Sequence, residues 1–167
     1  IMSYKIVCTG NPDKNTIAKA VKAKWPSSDF LHLSNGYDLR LWDDKRRHIF
    51  TNKIKDYNVF INASHICHMA QYDLLNTVES VWSTGLIINI GSTAEYDSSF
   101  GTYHVEKNAL KIRSLQIKGS VKSTHIIVPG LNDSKPGHED WMPLDHVADI
   151  IHSVLESPYH IQLIQAI

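Results

Sequence analysis

Short apolar runs alternate with stretches of helical spacing along the chain. Residues 5–9 (KIVCT) read as a strand. Residues 16–25 (TIAKAVKAKW) read as a helix that stops at Pro26, which cannot continue one. Residues 30–33 (FLHL) give a second strand, and Ser34-Asn35-Gly36 turns the chain. Residues 43–55 are amphipathic and predict a helix with Ile49, Phe50 and Ile54 inward. A strand follows at 58–62 (NVFIN), then a helix at 66–82 with Leu74, Leu75, Val78 and Val81 or Trp82 on one side. Residues 85–90 (GLIINI) are nearly all apolar, as a strand covered on both faces should be. Residues 102–118 predict the longest helix, and 125–128 (HIIV) a strand broken by Pro129-Gly130. Pro143 opens a last helix over 144–156, and 161–164 closes as a strand.

Strands separated by helices pair in parallel through crossovers, which predicts an α/β doubly wound sheet of about six strands with helices on both faces. In such sheets ligands bind beyond the carboxyl ends of the strands. Polar and small residues collect there: Thr9-Gly10-Asn11, Ser34-Asn35-Gly36, Asn62-Ala63-Ser64, Gly91-Ser92-Thr93 and Pro129-Gly130. All five clusters are expected on one rim.

The 167 residues fit a single domain, 1–167, with no repeat, linker or low-complexity tract. Acidic and basic residues balance at 17 each, which leaves no basic field for nucleic acid. No apolar run approaches the ~20 residues of a membrane span. The start, IMSYKIVC, lacks the pattern of a secretory leader. Two cysteines, Cys8 and Cys67, make no disulfide framework, so a reducing cytoplasm is the expected setting. His65, Cys67 and His68 invite a metal, yet no second ligand cluster follows at metal-like spacing, and none is assigned.

The candidate chemistry begins at "GTYHVEKNAL", where Tyr103 and Lys107 stand four apart on one helix face. With seven Tyr and thirteen Lys in the chain, chance alone supplies such a pair in about one case in two. Position carries more weight: the pair opens the helix that follows the strand ending in Ser92. A phenol is a poor proton donor or acceptor near neutral pH, and a nearby ammonium favours its ionised form. Ser92 offers a hydrogen bond to an oxygen gaining negative charge. These groups suit carbonyl reduction or alcohol oxidation, with hydride supplied by a nucleotide cofactor.

These motifs resemble, through nearly the whole chain, those of the short-chain dehydrogenase/reductases. "YHVEKNAL" looks like that family's Y-x-x-x-K helix and "INIGS" like the strand bearing its serine. "INAS" is similar to its N-A-G stretch, "VPGLNDS" to its P-G-x-x-x-T segment, and "MPLDHVADIIHSVLESP" to its final helix. The resemblance implies a minimal Rossmann-like domain and an NAD(P)(H)-dependent oxidoreductase acting on a small carbonyl or alcohol. It makes Tyr103 the general acid/base and Ser92 the holder of the substrate oxygen. Lys107 would bind the nicotinamide ribose and lower the tyrosine pKa, and Asn76 is the candidate for a fourth catalytic residue. Cofactor contacts would come from Gly10, Asn11, Lys14, Asn15, Thr16, Ile17, Ser34, Asn35, Asp38, Leu39, Asn62, Ala63, Ser64, Tyr103, Lys107, Pro129, Gly130 and Leu131. Trp141 falls where a substrate-covering flap belongs. Pairing through helices around 66–82 and 101–119 would give a homodimer or homotetramer.

Two departures matter. "TGNPDKNTIA" keeps Thr9 and Gly10 of the family's T-G-x-x-x-G-x-G loop but loses its later glycines, which would weaken or reshape cofactor binding. A cofactor-sensing or structural module of the same fold, without catalysis, is therefore the alternative. "FLHLSNGYDLRLW" compresses a region that normally holds more elements, so one edge strand and its helix are expected to be missing. The "SNGYD" shortcut is similar to compact members encoded by tailed phages, which would place the chain in a host cytoplasm. No acid ends the second strand, where it would bind the ribose of NAD, and Lys14 is near, so NADP(H) is slightly favoured over NAD(H).

Overall fold

The computed structural model describes residues 3–67 and 69–166. His68, one of the three residues considered for a metal, lies outside the described residues. Among the described residues eight strands and five α-helices follow in order: β1 (Ile6–Thr9), α1 (Ile17–Lys24), β2 (Asp29–Leu31), α2 (Asp44–Ile54), β3 (Val59–Asn62), α3 (Ala70–Val81), β4 (Gly85–Ser92), α4 (Thr102–Gln116), β5 (Val121–Val128), β6 (Leu131–Asn132), β7 (Met142–Pro143), α5 (Leu144–Glu156) and β8 (Leu163–Gln165).

Six strands form one parallel sheet in the order β2-β1-β3-β4-β5-β8. From β1 the chain first steps outward to β2, then returns to build the other side through β3. That reversal makes the crevice beside β1 and β3 the expected ligand site. The edge is β2 itself, only three residues long, as the compressed segment predicts. A short edge strand also offers little to a stray pairing partner.

Alternating side chains send two separate cores to the two faces. Ile6, Cys8, Ile61, Ile88 and Ile126 pack against Val21 of α1 and Val147 and Ile151 of α5. Val7, Leu31, Phe60 and Ile87 pack against Phe50 of α2, Leu74 and Val78 of α3, and Leu110 of α4. Leu74, Leu75 and Val78 are fully buried, each contributing roughly 1.5–3 kcal/mol of burial. Ile49 departs from the expected inward position and is 41% exposed, because α2 presents only Phe50 and Ile54 to the sheet.

Several elements differ from the pattern reading. α3 starts at Ala70 rather than 66, because Met69 takes a left-handed backbone conformation (φ 64°) and the helix begins only after it. β5 starts at Val121, four residues before the apolar run. β6 and β7 form a two-residue parallel pair of their own that folds the segment after β5 back over the rim.

Candidate active site

A cavity of about 350 Å³ opens at the carboxyl ends of the central strands. Asn15, Thr16 and Ile17 form one wall; Ala63 and His65, after β3, form another. Ile90, Gly91 and Ser92 end β4 at its floor, with Tyr103 and Lys107 of α4 beside them. Pro129 to Leu131, Asp133, His138 and Trp141 close the far side.

Thr9 ties two rim loops together: its hydroxyl accepts the Ala63 and Ser64 N–H groups at 2.9 and 3.0 Å. Gly10 (φ 121°) has room for no side chain, since a Cβ would meet Ser64 Oγ at 3.0 Å and Ala18 Cβ at 3.1 Å. It is the only residue between 10 and 16 with a positive φ, so the missing later glycines leave no backbone strain in the loop. Thr16 precedes α1 but caps it with no side-chain bond; its hydroxyl donates to the Asn11 carbonyl at 3.0 Å instead. The first N–H groups of α1 thus stand at the cavity wall, where a helix N-terminus favours an anion.

Ser92, Tyr103 and Lys107 meet as the sequence predicts, but the electrostatics differ. Burial pushes the Tyr103 phenol above its ordinary value; a hydrogen bond with Ser92 pulls it back, and Glu95 and Glu106 push it further up. The Lys107 amine lies 5.5 Å from the centre of the Tyr103 ring and spends two donors elsewhere, on Gln71 Oε1 at 2.6 Å and the Ile90 carbonyl at 3.0 Å. Lys107 is 4% exposed, and burial brings its pKa down to about 8.

Behind Ser92 sits a buried acid–imidazole pair. Glu95 Oε2 accepts the Ser92 N–H at 2.9 Å, and both Glu95 oxygens lie within 3.1 Å of His125 Nε2. Gly91 makes room for this pair, since a Cβ there would fall 2.3 Å from His125 Nε2. His65 touches Tyr103 edge-on, ring centres 4.7 Å apart, with its Nε2 2.7 Å from Glu106. On the far wall His138 stacks on Trp141 at 3.6 Å and pairs with Asp133 at 2.7 Å. Gly130 lets Trp141 lie against the chain, for a Cβ there would meet its ring at 2.6 Å.

Other expected residues are not brought to the cavity. Asn76 lies farther along α3 and accepts from Arg113 Nε at 2.8 Å, in a group with Glu79. Asn62 turns into the sheet, where its amide donates to the Gln71 carbonyl and to Asn89. Ser34 is exposed outside the lining, and Asn35 spends its side chain within its own turn, on Phe30 and His32. Asp38 is held by Arg40 and Arg46, whose hydrogen bonds, Arg40's above all, keep it well below the usual carboxylate range, and Leu39 is core. Asn11 and Lys14 remain on the β1–α1 loop, with Lys14 exposed. Gln71, Glu95 and His125 escaped the sequence reading, and only their strand-end or first-turn positions hinted at them.

No protein-family model and no curated protein sequence matches the chain. Solved structures do. A short-chain dehydrogenase from Burkholderia cenocepacia J2315 in complex with NADP superposes at TM-score 0.74, with 10% identity, over 98% of this chain and 89% of that one. A short-chain dehydrogenase from Sphingobium yanoikuyae in complex with NADPH gives 0.67 at 12% identity, over 95% and 87%. A β-ketoacyl-[ACP] reductase from Bacteroides thetaiotaomicron gives 0.68 at 15% identity, over 96% of both chains. The chain therefore has the fold of the short-chain dehydrogenases.

Proposed function

We propose that the chain is a nicotinamide-dependent oxidoreductase acting on a small carbonyl or alcohol, with Tyr103 as general acid/base. One observation carries this reading: Ser92, Tyr103 and Lys107 line the same cavity as the uncapped start of α1. The residues fit a dinucleotide. Gly10 allows close backbone approach, the first amides of α1 suit a pyrophosphate, and Ala63 and Pro129 to Leu131 supply a smooth wall.

When bound, the nicotinamide supplies or takes up the hydride. Ser92 donates its hydroxyl to the substrate oxygen. Tyr103 gives its proton to that oxygen in reduction and takes it back in oxidation. Burial and the nearby carboxylates hold its pKa above the ordinary value, so the phenol carries the proton that reduction consumes. Lys107 holds a ligand hydroxyl with its remaining donor. NADP(H) is favoured over NAD(H): no acid ends β2, and Lys14 stands exposed on the nearby loop. Val105 and Ile112, 60% and 54% exposed on α4, support self-association through α3 and α4. Sedimentation reads that directly.

Titration with NADPH and NADH, followed by a carbonyl panel, tests the reading. Submillimolar NADPH binding with turnover is the expected result. No binding at millimolar cofactor overturns it, and binding without any turnover leaves a cofactor sensor.

A further inference from the structure

Gln71 sits in the first turn of α3 and is 5% exposed. Its side-chain amide is latched at both ends. Nε2 donates to the Asn62 carbonyl at 2.9 Å and the Ile90 carbonyl at 3.2 Å. Oε1 accepts from the Lys107 amine at 2.6 Å. Its own carbonyl accepts from Asn62 Nδ2 at 2.8 Å. A flipped amide would place N–H against an amine and oxygen against two carbonyls, so only one orientation is satisfied.

Among the described residues no carboxylate is in hydrogen-bond contact with the amine. Glu95 and Glu106 act on it only through space, with Glu106 paired to His65, and Tyr103 presents its ring. A buried amine needs acceptors to remain charged. Among the described residues Gln71 and the Ile90 carbonyl are the two it has, and an ammonium carries three donors.

We propose that Gln71 is the positioning residue of the site: its amide oxygen orients the Lys107 amine so that a single N–H is left for a ligand hydroxyl in the cavity. The part that concerns ligand binding rests on the oxidoreductase reading; the coupling of Gln71 to Lys107 does not. Gln71 acts through Lys107 and touches no reacting atom.

The test compares Gln71→Met, which removes the acceptor, with Gln71→Glu, which keeps an oxygen toward the amine but loses both donors to the carbonyls. The Lys107 side chain is titrated by NMR in each protein, and NADPH binding is measured by fluorescence. Gln71→Met is expected to lower the Lys107 midpoint by about one pH unit or more and weaken NADPH binding by roughly tenfold or more. Gln71→Glu is expected to raise the midpoint and keep NADPH affinity within about threefold of wild type. If the residue merely braces the strand ends, both variants weaken binding alike and leave the midpoint unmoved, which overturns the proposal. If Gln71→Met does not fold, an unchanged or lowered midpoint in Gln71→Glu overturns it. If wild type binds no NADPH, the oxidoreductase reading fails while the Lys107 titration still decides the coupling.

Discussion

Glu95 and His125 face each other in full burial, Nε2 to carboxylate at 3.0 and 3.1 Å, and the same carboxylate holds the N–H of Ser92. Burial by itself would raise the Glu95 pKa; the bond and charge of His125, the Ser92 N–H and Lys111 outweigh it, so the carboxyl lies below its ordinary value. A depressed carboxyl contributes stability that is present above its unfolded pKa and lost as pH falls through the folded one. Acid titration of unfolding should therefore show a loss in wild type, below the ordinary carboxylate range, that is shallower in Glu95→Gln. Glu95→Ala, which orphans His125 and the Ser92 N–H, should cost roughly 3–5 kcal/mol in urea unfolding. Matching acid profiles for wild type and Glu95→Gln would refute this role.

Lys107 predicts a slope of the same sign in an alkaline window. Burial lowers its pKa from 10.5 to about 8, so between those values the unfolded chain holds a proton that the folded chain has released. Stability then rises with pH across that window. Relative to Lys107→Met, wild type should gain up to about 3 kcal/mol between pH 8 and 10.5. A flat difference would place the amine in a far wetter site than its 4% exposure implies.

Tyr103→Phe separates chemistry from binding. Turnover on any carbonyl the wild type reduces should fall by roughly 10²–10⁴-fold, while NADPH affinity changes little. Retention of full turnover would remove Tyr103 from the proton transfer.

Asn76→Ala should behave as a structural change. It removes the acceptor of Arg113 Nε between α3 and α4, so about 1 kcal/mol of stability should be lost. NADPH binding and turnover should stay within about twofold. A thousandfold loss of turnover would restore the residue to the catalytic group.

The apolar elements were legible in the chain because burial of Ile, Val and Leu leaves a period. The order of strands and helices and the meeting of Ser92, Tyr103 and Lys107 follow from that period and from strand-end position, while the short edge at β2 follows from the resemblance alone. Buried polar groups leave no period. β5 begins early because Ser123 is sheltered by Asn89 and Ser114, and His125 by Glu95, partners 9 to 34 residues away. Gln71 stayed hidden for the same reason: each of its bonds crosses to another element. The resemblance offers Asn76 only as the asparagine of the helix before Ser92; the left-handed turn at Met69 starts α3 late, so its first turn carries Gln71 and Asn76 lies beyond it.

The two cores lie on opposite faces of one sheet, and the cavity straddles its edge. The wall formed by the start of α1 is rooted in one layer; Tyr103, Lys107 and Gln71 are rooted in the other. Mutations confined to one layer disturb the other weakly, since effects at sites without shared partners add. The loop before α1 can thus change its sequence while Ser92, Tyr103 and Lys107 keep their geometry, so the glycine-poor "TGNPDKNTIA" and the Tyr103/Lys107 helix are free to vary separately.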